Sequence, residues 1–311
     1  MWRLLRRPVA ILRMVKALVV GAGPQFGRQV RRLTDEDFTR DLVSSLLVAE
    51  EVVEVAFARD GMVWRSDLGD EIGRQLFRCG SYEGEEIDAV LRWLAEQGRT
   101  GTVLDVGANI GTTTVPFARA GFPVIAVEPV PRTFALLTAN AAASGLAEAI
   151  TPVQVAVAAE PGHVDMWVGY GSGRSEVVVE GTSPDMEARG TPTTVSVPAA
   201  PLHQVLADQG VAATDVALVW ADVQGCETDV VTTATHLWAA GVPLWLEVDP
   251  VRLERQAGLA AFLATVAEHF SAFVSRDDML AGEVEPQPVA AFAPWVDRIP
   301  AGRYEDALLL P

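Results

Sequence analysis

The chain has 311 residues, half of them hydrophobic and 21% charged, which is enough apolar material for a substantial core and argues against a largely disordered chain. Its two cysteines, Cys79 and Cys226, lie far apart without metal-ligand spacing, so neither a disulfide framework nor a zinc site is expected, and a cytoplasmic location is the default. The net charge of −17 repels a phosphate backbone and argues against nucleic acid as a partner.

Residues 1–34 form a basic extension, since no acidic residue precedes Asp35. Over residues 2–20 the apolar side chains gather on one side of a helical wheel and the basic ones on the other, which predicts an amphipathic helix. Arg13 and Lys16 interrupt the apolar run, so neither a signal peptide nor a membrane span fits. The helix could make a peripheral membrane contact, but packing on the main domain or on a partner is the simpler interpretation.

Residues 35–99 predict a small α/β cap ahead of the main domain. The cap consists of a helix over about 35–50, a hairpin of Val52–Phe57 and Met62–Ser66, and helices around Glu71–Phe77 and Glu85–Glu96. Tyr82 and Glu83 precede the last of these helices, where they could reach a site in the main domain or simply begin the helix.

In residues 100–311 short apolar strands alternate with helices, a pattern that predicts a mostly parallel sheet with helices on both faces. The predicted strands are Val103–Val106, Val124–Val127, Val153–Val157, Ala217–Ala221 and Leu244–Val248, and the first two helices are Thr113–Ala120 and Pro131–Ser144. In such sheets ligands bind outside the carboxyl ends of the strands. The polar residues at those ends are therefore the candidate site.

The first strand ends in a glycine turn, Asp105-Val106-Gly107-Ala108-Asn109-Ile110-Gly111. Gly107 and Gly111 allow a tight turn and a close approach of the backbone to a ligand. A dinucleotide-binding loop would need glycine where Asn109 and Thr112 stand, so an NAD-dependent oxidoreductase is the weaker alternative. Asp105 instead suits a cofactor with an amino-acid tail, whose ammonium group it could meet directly or through water.

The second strand is followed by Glu128-Pro129, about twenty residues beyond the glycine turn. An acidic residue at this position can accept hydrogen bonds from both hydroxyls of a ribose. Together with the glycine turn, Glu128 predicts a cofactor that contains a nucleoside.

These motifs resemble the class I S-adenosylmethionine-dependent methyltransferases, and among them the FkbM family. The matching segments, within residues 80–311, are Val103–Gly111, Ala126–Pro129, Asn140 in the following helix, Ala221–Glu227, Leu246–Val248 and Glu305–Pro311. The resemblance implies a Rossmann-like sheet of seven mostly parallel strands whose last strand is antiparallel. It also implies methyl transfer from S-adenosylmethionine, usually to an oxygen of a sugar, a glycan or a secondary metabolite.

The same resemblance assigns roles to residues by position. It implies that the cofactor is bound by Asp105, Gly107, Ala108, Asn109, Gly111, Glu128 and Pro129. It also implies that Asp222, at the end of the fourth strand, lies beside the transferred methyl group.

A hydroxyl acceptor must lose its proton during methyl transfer, and a carboxylate or a histidine at the site could accept it. The candidate catalytic residues are Asp222, Glu227 and Glu247, because each stands at or just after a predicted strand end. Two of them could instead hold a divalent metal that lowers the pKa of the hydroxyl, and the sequence leaves this choice open. Glu227 could equally stabilise the start of a helix, and Glu247 could order a loop.

Acceptor specificity is expected in the segment Gly169–Pro198, which is polar and interrupts the strand pattern near the carboxyl ends. The partner that the family resemblance implies is a small-molecule or glycan acceptor. The non-enzymatic alternative is a catalytically silent module of methyltransferase type that is recruited to a membrane surface through residues 2–20.

Overall fold

The computed structural model describes residues 54–168, 175–178 and 193–311. The amphipathic helix predicted over 2–20 and the helix predicted near 35–50 lie outside these ranges. The chain separates into two compact units between Tyr82 and Glu83. The domain boundaries predicted at residues 34 and 99 stay predictions.

The described part of the first unit is a hairpin followed by a helix. Strands β1 (Glu54–Arg59) and β2 (Met62–Asp67) pair antiparallel, and helix α1 covers Glu71–Cys79. The hairpin turns at Asp60-Gly61, where both residues have positive φ, the backbone that an Asp-Gly pair favours in a two-residue turn. Asp70 caps α1 by accepting a hydrogen bond of 2.6 Å from the N–H of Gly73.

The second unit contains the large sheet and the helices that cover it. Its first half comprises α2 (Gly84–Glu96), β3 (Thr102–Val106), α3 (Thr114–Arg119), β4 (Val124–Val127), α4 (Pro131–Ala143), β5 (Ile150–Val153), β6 (Ala156–Val157), β7 (Gly162–Val168), β8 (Ser175–Val177) and β9 (Thr193–Ala200). Its second half comprises α5 (Leu202–Asp208), β10 (Val216–Ala221), α6 (Glu227–Thr233), α7 (Thr235–Ala239), β11 (Leu244–Val248), α8 (Pro250–Gln256), α9 (Leu259–His269), β12 (Ala272–Ser275), α10 (Arg276–Ala281), β13 (Gln287–Pro288), α11 (Phe292–Val296) and β14 (Glu305–Leu310), with short 3₁₀ turns at Ala213–Asp215 and Val289–Ala291.

The large sheet has the strand order β13-β12-β14-β11-β10-β3-β4-β5. The five strands from β11 to β5 run parallel, and β14 lies antiparallel between β11 and β12. The predicted α/β fold with an antiparallel last strand is therefore confirmed. The two-residue β13 extends the expected seven strands to eight.

The chain order reverses next to β3, and this reversal locates the ligand crevice of the sheet. From β3 the chain moves outward through β4 to β5, and it later returns to β10 on the other side of β3. Parallel sheets of this kind bind ligands at the carboxyl ends of the strands that flank such a switch point. The ends of β3, β4, β10 and β11 are therefore the place to look for a site.

The strands at the centre of the sheet are buried along their whole length. Every residue of β10 and β11 is buried, as expected for parallel strands covered on both faces. Trp220 and Trp245 stack on neighbouring strands with ring centroids 5.0 Å apart, and Phe117 meets Trp220 edge-on at 5.8 Å. This packed layer gives the strand ends a rigid base.

The strand predicted over Val153–Val157 is wrong as a single element. The segment Ile150–Val153 pairs with β4 in the large sheet, whereas Ala156–Val157 pairs with β9 in a second sheet of order β6-β9-β7-β8. An apolar run of this length shows that a strand forms but not which neighbour it pairs with. The residues between the two strands carry the chain from one sheet to the other.

Candidate functional site

Four acids meet at the carboxyl ends of adjacent strands of the large sheet. Asp105 and Glu247 are the penultimate residues of β3 and β11, and Glu128 and Asp222 directly follow β4 and β10. Asp105, Glu128 and Glu247 are buried, and Asp222 is half-buried. Sequence position placed these four residues at strand ends, and the strand order brings them to one edge.

Gly107 lies where the glycine turn after β3 packs against the loop after β10. Its N–H donates to the carbonyl of Val127 at 2.9 Å, and the N–H of Asp222 donates to the carbonyl of Val106 at 3.0 Å. With φ of +89°, Gly107 occupies backbone space that favours glycine. A Cβ on this residue would lie 1.9 Å from the carbonyl oxygen of Asp222, so the crossing of the two loops requires glycine.

Glu128 is held by backbone N–H groups from both sides. Asn109, which has φ of +51°, donates its N–H to Oε2 at 3.0 Å, and Val130 donates to Oε1 at 2.8 Å. Burial raises the pKa of Glu128 to about 7, and the two hydrogen bonds act against that rise. Each carboxylate oxygen keeps a free lone pair for a further donor.

Asp105 is only 1% exposed and accepts a short hydrogen bond from the hydroxyl of Thr114 at the start of α3. Burial raises the pKa of Asp105 to about 7, the Thr114 hydrogen bond lowers it, and the nearby charge of Asp222 raises it further. Sequence reasoning missed Thr114. The regular spacing from strand to helix could have indicated it, because α3 begins directly above the strand.

The glycine turn is also tied down from α4. Asn140 is fully buried, and its amide donates to the carbonyl of Ile110 at 2.8 Å. Gly111 has φ of +94°, and a Cβ there would lie 3.0 Å from Leu137 on the same helix. The turn that carries Asn109 is therefore fixed in shape by the helix that follows the next strand.

Asp222 and Glu247 share one amide group, that of Gln224. The Gln224 Nε2 group lies 2.6 Å from Oδ1 of Asp222 and 3.4 Å from Oε1 of Glu247. The amide oxygen accepts a short hydrogen bond from Arg252 of α8, whose guanidinium also lies 3.6 Å from Glu247. Gln224 has φ of +55°, a conformation that is uncommon for a residue other than glycine. Neither Gln224 nor Arg252 was singled out from the sequence.

Glu227 lies beneath the loop that joins β10 to α6. Its Oε1 accepts the N–H groups of Gly225 at 3.1 Å and of Val223 at 3.3 Å, and the residue is 1% exposed. Oε2 is buried and has no hydrogen-bond partner. This is the geometry of a carboxylate that orders a loop, and a part for Glu227 in proton transfer stays a prediction.

The donor set at Asp222 and Glu247 does not fit a divalent metal. Both carboxylates face the N–H₂ group of Gln224, and Glu247 also faces the cationic Arg252. A divalent metal at these oxygens would have to compete with the Gln224 donor and would be repelled by the positive charge of Arg252. Within the described ranges, no group of three or more His, Cys, Asp or Glu side chains is arranged to hold a metal ion.

Further ionisable groups surround Asp222. Burial raises the pKa of Asp306 to about 8 and of Tyr304 to about 12, and the charge of Asp222 adds to both shifts. Burial also raises the pKa of Glu83 well above its usual value, with Asp222 as the next cause. Asp306 is the direct neighbour of Glu247 across β11 and β14. Sequence reasoning named Glu83 as a residue that could reach this site, and it missed Tyr304.

Arg276 offsets part of this negative charge on the β14 side. Its Nε donates to Oε1 of Glu86 at 2.7 Å and lies 3.9 Å from Asp306. Two arginines therefore lie beside the acids around Asp222: Arg276 next to Asp306, and Arg252 next to Glu247. Tyr304, at 47% exposure, is on the solvent side.

The residues predicted from the resemblance fall into two sets. Those of the glycine turn and of Glu128-Pro129 form one connected structure at the ends of β3 and β4. Asp222 and Glu247 form a second one with Gln224, and Glu227 lies below its loop. Most of the predicted specificity segment Gly169–Pro198 lies outside the described residues; its described parts are Ser175–Val178 and the first residues of β9.

A family model described as Methyltransferase FkbM domain matches residues 105–275, more than half of the chain. Among solved structures, cofactor-bound Rv0187 from MTB is 13% identical with a TM-score of 0.40, and the match covers 98% of this chain and 97% of that chain. A putative O-methyltransferase from Klebsiella pneumoniae is 10% identical with a TM-score of 0.40 over 73% and 78% of the two chains. The O-methyltransferase TomG from Streptomyces achromogenes, solved in complex with SAM, is 11% identical with a TM-score of 0.38 over 71% and 77%. No curated protein matches the sequence.

Among the residues that the structure describes, no helix is long and apolar enough to cross a membrane. The peripheral membrane contact predicted for residues 2–20 concerns residues outside that part of the chain and stays a prediction.

Proposed function

This chain belongs to the FkbM methyltransferase family, and from that premise we propose that it transfers a methyl group from S-adenosylmethionine to a hydroxyl group of a small molecule or glycan. One observation supports the proposal best. The acids Asp105 and Glu128 and the acids Asp222 and Glu247 all lie at the strand ends that flank the switch point of the sheet. Membership of the family decides against the NAD-dependent oxidoreductase that the sequence left as an alternative.

The first structure suits the nucleoside and amino-acid parts of the cofactor. Glu128 would accept the ribose hydroxyls through the lone pairs that its two backbone donors leave free. Asp105 would favour the cofactor's positive charge, directly or through water, because the side-chain partner recorded for this buried carboxyl group is the neutral hydroxyl of Thr114. Gly107, Ala108, Asn109 and Gly111 would supply the backbone of the turn beside Asp105, and Pro129 the backbone after Glu128.

The second structure suits the removal of a proton from the acceptor. S-adenosylmethionine supplies an activated methyl group whose sulfur leaves as a neutral thioether, so the chain needs no covalent intermediate. The chain must align the acceptor with that methyl group and take the hydroxyl proton. Asp222 is the proposed proton acceptor, because it lies at the end of β10 directly against Gly107 and the glycine turn.

The acceptor would enter beside the second sheet. Gln256 of α8 donates to the carbonyl of Val177 in β8 at 3.2 Å, and a Cβ on Gly225 would lie 2.8 Å from the Gln256 side chain. Gln256 therefore connects β8 with the loop that follows Asp222. This connection supports the proposal that the segment Gly169–Pro198 selects the acceptor.

Isothermal titration with S-adenosylmethionine tests the proposed cofactor site. We expect saturable binding to the wild-type chain and a loss of at least tenfold in affinity for Asp105→Ala and for Glu128→Ala, since each removes a charged partner. Glu148→Ala is the matched control, because Glu148 is exposed and lies near the start of β5. Absence of binding to the wild-type chain, or equal affinity in all four proteins, contradicts the proposal.

A further inference from the structure

The orientation of the Gln224 amide is fixed by the chemistry of its neighbours. Arg252 can only donate hydrogen bonds, so the group that faces its guanidinium must be the amide oxygen. The N–H₂ group must then face Asp222 and Glu247, at the distances of 2.6 and 3.4 Å that the structure records. A flipped amide would set N–H₂ against a guanidinium and oxygen against two carboxylates. One amide therefore holds two acids.

Two acids in this position cannot both carry a full negative charge at low cost. Both face the same N–H₂ group, and Glu247 is only 6% exposed. Burial raises the pKa of Asp222, while the hydrogen bond from Gln224 and the charge of Arg252 lower it. Burial raises the pKa of Glu247 well above its usual range, the charges of Asp222, Glu227 and Asp306 raise it further, and the charge of Arg252 lowers it. Carboxyl pairs of this kind titrate as a unit.

We infer that Asp222 and Glu247 hold a single proton between them, and that Gln224 is the positioning residue that keeps this proton on Glu247 and leaves Asp222 free to accept another. The shorter hydrogen bond, 2.6 against 3.4 Å, goes to Asp222 and stabilises its charged form. The catalytic role of this proton arrangement rests on the proposed function. The arrangement itself is tested on the chain's own carboxyl groups.

The proton balance is complete without a further reactant. The acceptor hydroxyl gives its proton to the carboxylate of Asp222, its oxygen forms the new bond to the methyl carbon, and the bond between that carbon and the sulfonium sulfur breaks. The sulfur keeps the electron pair. Asp222 then releases the proton to solvent, and the proton on Glu247 does not move. Because Glu247 stays protonated, it adds no negative charge beside the base.

Other charged groups face this pair from every side and act on both members. They are Glu83 at the start of α2, Asp105 in β3, Glu128 after β4, Glu227 in α6, Arg252 in α8, and Tyr304 and Asp306 at and before β14. Except for Arg252 and the neutral phenol of Tyr304, these groups are carboxyl groups whose charged forms disfavour a second negative charge. Arg252 favours the charged form of both acids, so the shorter hydrogen bond from Gln224 is what distinguishes Asp222 from Glu247.

Carboxyl NMR of the cofactor-free chain tests the inference. The chain is labelled with ¹³C at the carboxyl carbons of Asp and Glu and titrated, and Asp222→Asn and Glu247→Gln identify the two resonances. We expect Glu247 to titrate at clearly higher pH than Asp222. In Gln224→Met, which keeps the side-chain length and removes both N–H donors, the two midpoints should approach each other by about one pH unit, a tenfold change in relative proton affinity.

Two further variants separate donation from packing. Gln224→Glu keeps the shape of the side chain and the acceptor for Arg252 but cannot donate to both acids. It should therefore also reduce the difference between the titration midpoints of Asp222 and Glu247. This variant tests the inference if Gln224→Met does not fold. Gln209→Met alters an exposed glutamine on another helix end and should leave both midpoints unchanged. Unchanged midpoints in folded Gln224→Met and Gln224→Glu overturn the inference, as does a wild-type pair that titrates independently in the ordinary acidic range. Titration with S-adenosylmethionine is a separate measurement, so a failure of cofactor binding contradicts the proposed function and not this result.

Discussion

Glu128 and Glu247 occupy equivalent places and are held in opposite ways. Each lies at the carboxyl end of a parallel strand, and each is 6% exposed. Glu128 accepts two backbone N–H groups at 2.8 and 3.0 Å, whereas Glu247 has one long contact of 3.4 Å to an amide and a guanidinium at 3.6 Å. Burial raises the pKa of Glu128 to about 7 and that of Glu247 well above its usual range. Equal burial therefore raises the two pKa values by different amounts. Fixed backbone donors stabilise the charged form of Glu128, whereas several neighbouring acids oppose the charged form of Glu247.

Gly107→Ala should have the largest effect, because the glycine turn beside Glu128 and the loop that carries Asp222 meet at this residue. The added Cβ would lie 1.9 Å from the carbonyl oxygen of Asp222 in a backbone with φ of +89°. We expect the free energy of unfolding to fall by about 4 kcal/mol, from overlap and backbone strain together. Urea denaturation measures it.

Gly145→Ala provides the control for that prediction. Gly145 has φ of +72° and no atom within 4 Å of an added Cβ, so only strain acts there, at about 1–2 kcal/mol. Equal losses in the two variants would mean that the crossing of the β3 and β10 loops does not depend on close packing.

Glu128→Gln and Glu247→Gln should separate cofactor binding from proton transfer. Glu128→Gln replaces an acceptor that faces two N–H donors with a group that bears hydrogens, so affinity for S-adenosylmethionine should fall by about 10- to 100-fold. Glu247→Gln replaces a protonated carboxyl with a neutral amide and should change the affinity by less than about threefold. Calorimetric titration measures the affinity of both variants for S-adenosylmethionine. A larger loss of affinity in Glu247→Gln than in Glu128→Gln would mean that Glu247, and not Glu128, contacts the cofactor.

The free energy of unfolding should fall as pH rises from about 4.5 to about 7. The pKa of Glu128 rises on folding from its ordinary value of 4.5 to about 7, so between these values the folded chain holds more protons than the unfolded chain. The stabilising contribution is complete below the lower value and is lost as pH approaches the upper one. Asp105 and Glu227, whose pKa values burial also raises to about 7, act in the same direction.

Each such group should contribute a slope of about 1 kcal/mol per pH unit in that window, measured by urea denaturation without cofactor. Glu128→Gln should reduce the slope, and the exposed Glu148→Gln should leave it as in the wild type. A wild-type stability that increases across this window would show that these acids are ionised in the folded chain.

Gln256→Leu should have the smallest effect on stability, and that effect should be confined to the second sheet. It removes the hydrogen bond of 3.2 Å to the carbonyl of Val177, at a cost of about 1 kcal/mol in unfolding free energy. Affinity for S-adenosylmethionine should not change, while protease cleavage between β7 and β9 should become faster. Gln209→Leu, an exposed change of the same kind, should alter neither; a loss of cofactor affinity in Gln256→Leu would place β8 in the cofactor site.

The sequence alone determined the fold class and the first half of the candidate site. Asp105, Gly107, Asn109 and Gly111 follow each other within one turn, and Glu128 follows the next strand, so local spacing and backbone demands are enough to find them. The antiparallel last strand was implied by the family resemblance and not by local spacing, and it is confirmed at Glu305–Leu310.

In the second half of the site the acids were candidates from the sequence, and only the tertiary structure decided which residues partner them. Gln224, Arg252 and Glu247 come from three separate elements, and nothing in their spacing shows that one amide lies between two acids and a guanidinium. The division of Val153–Val157 between two sheets had the same origin, because strand partners are chosen by long-range packing. Local patterns fix what a residue can offer, and the partners that give it a charge or a proton are set by contacts far apart in the chain.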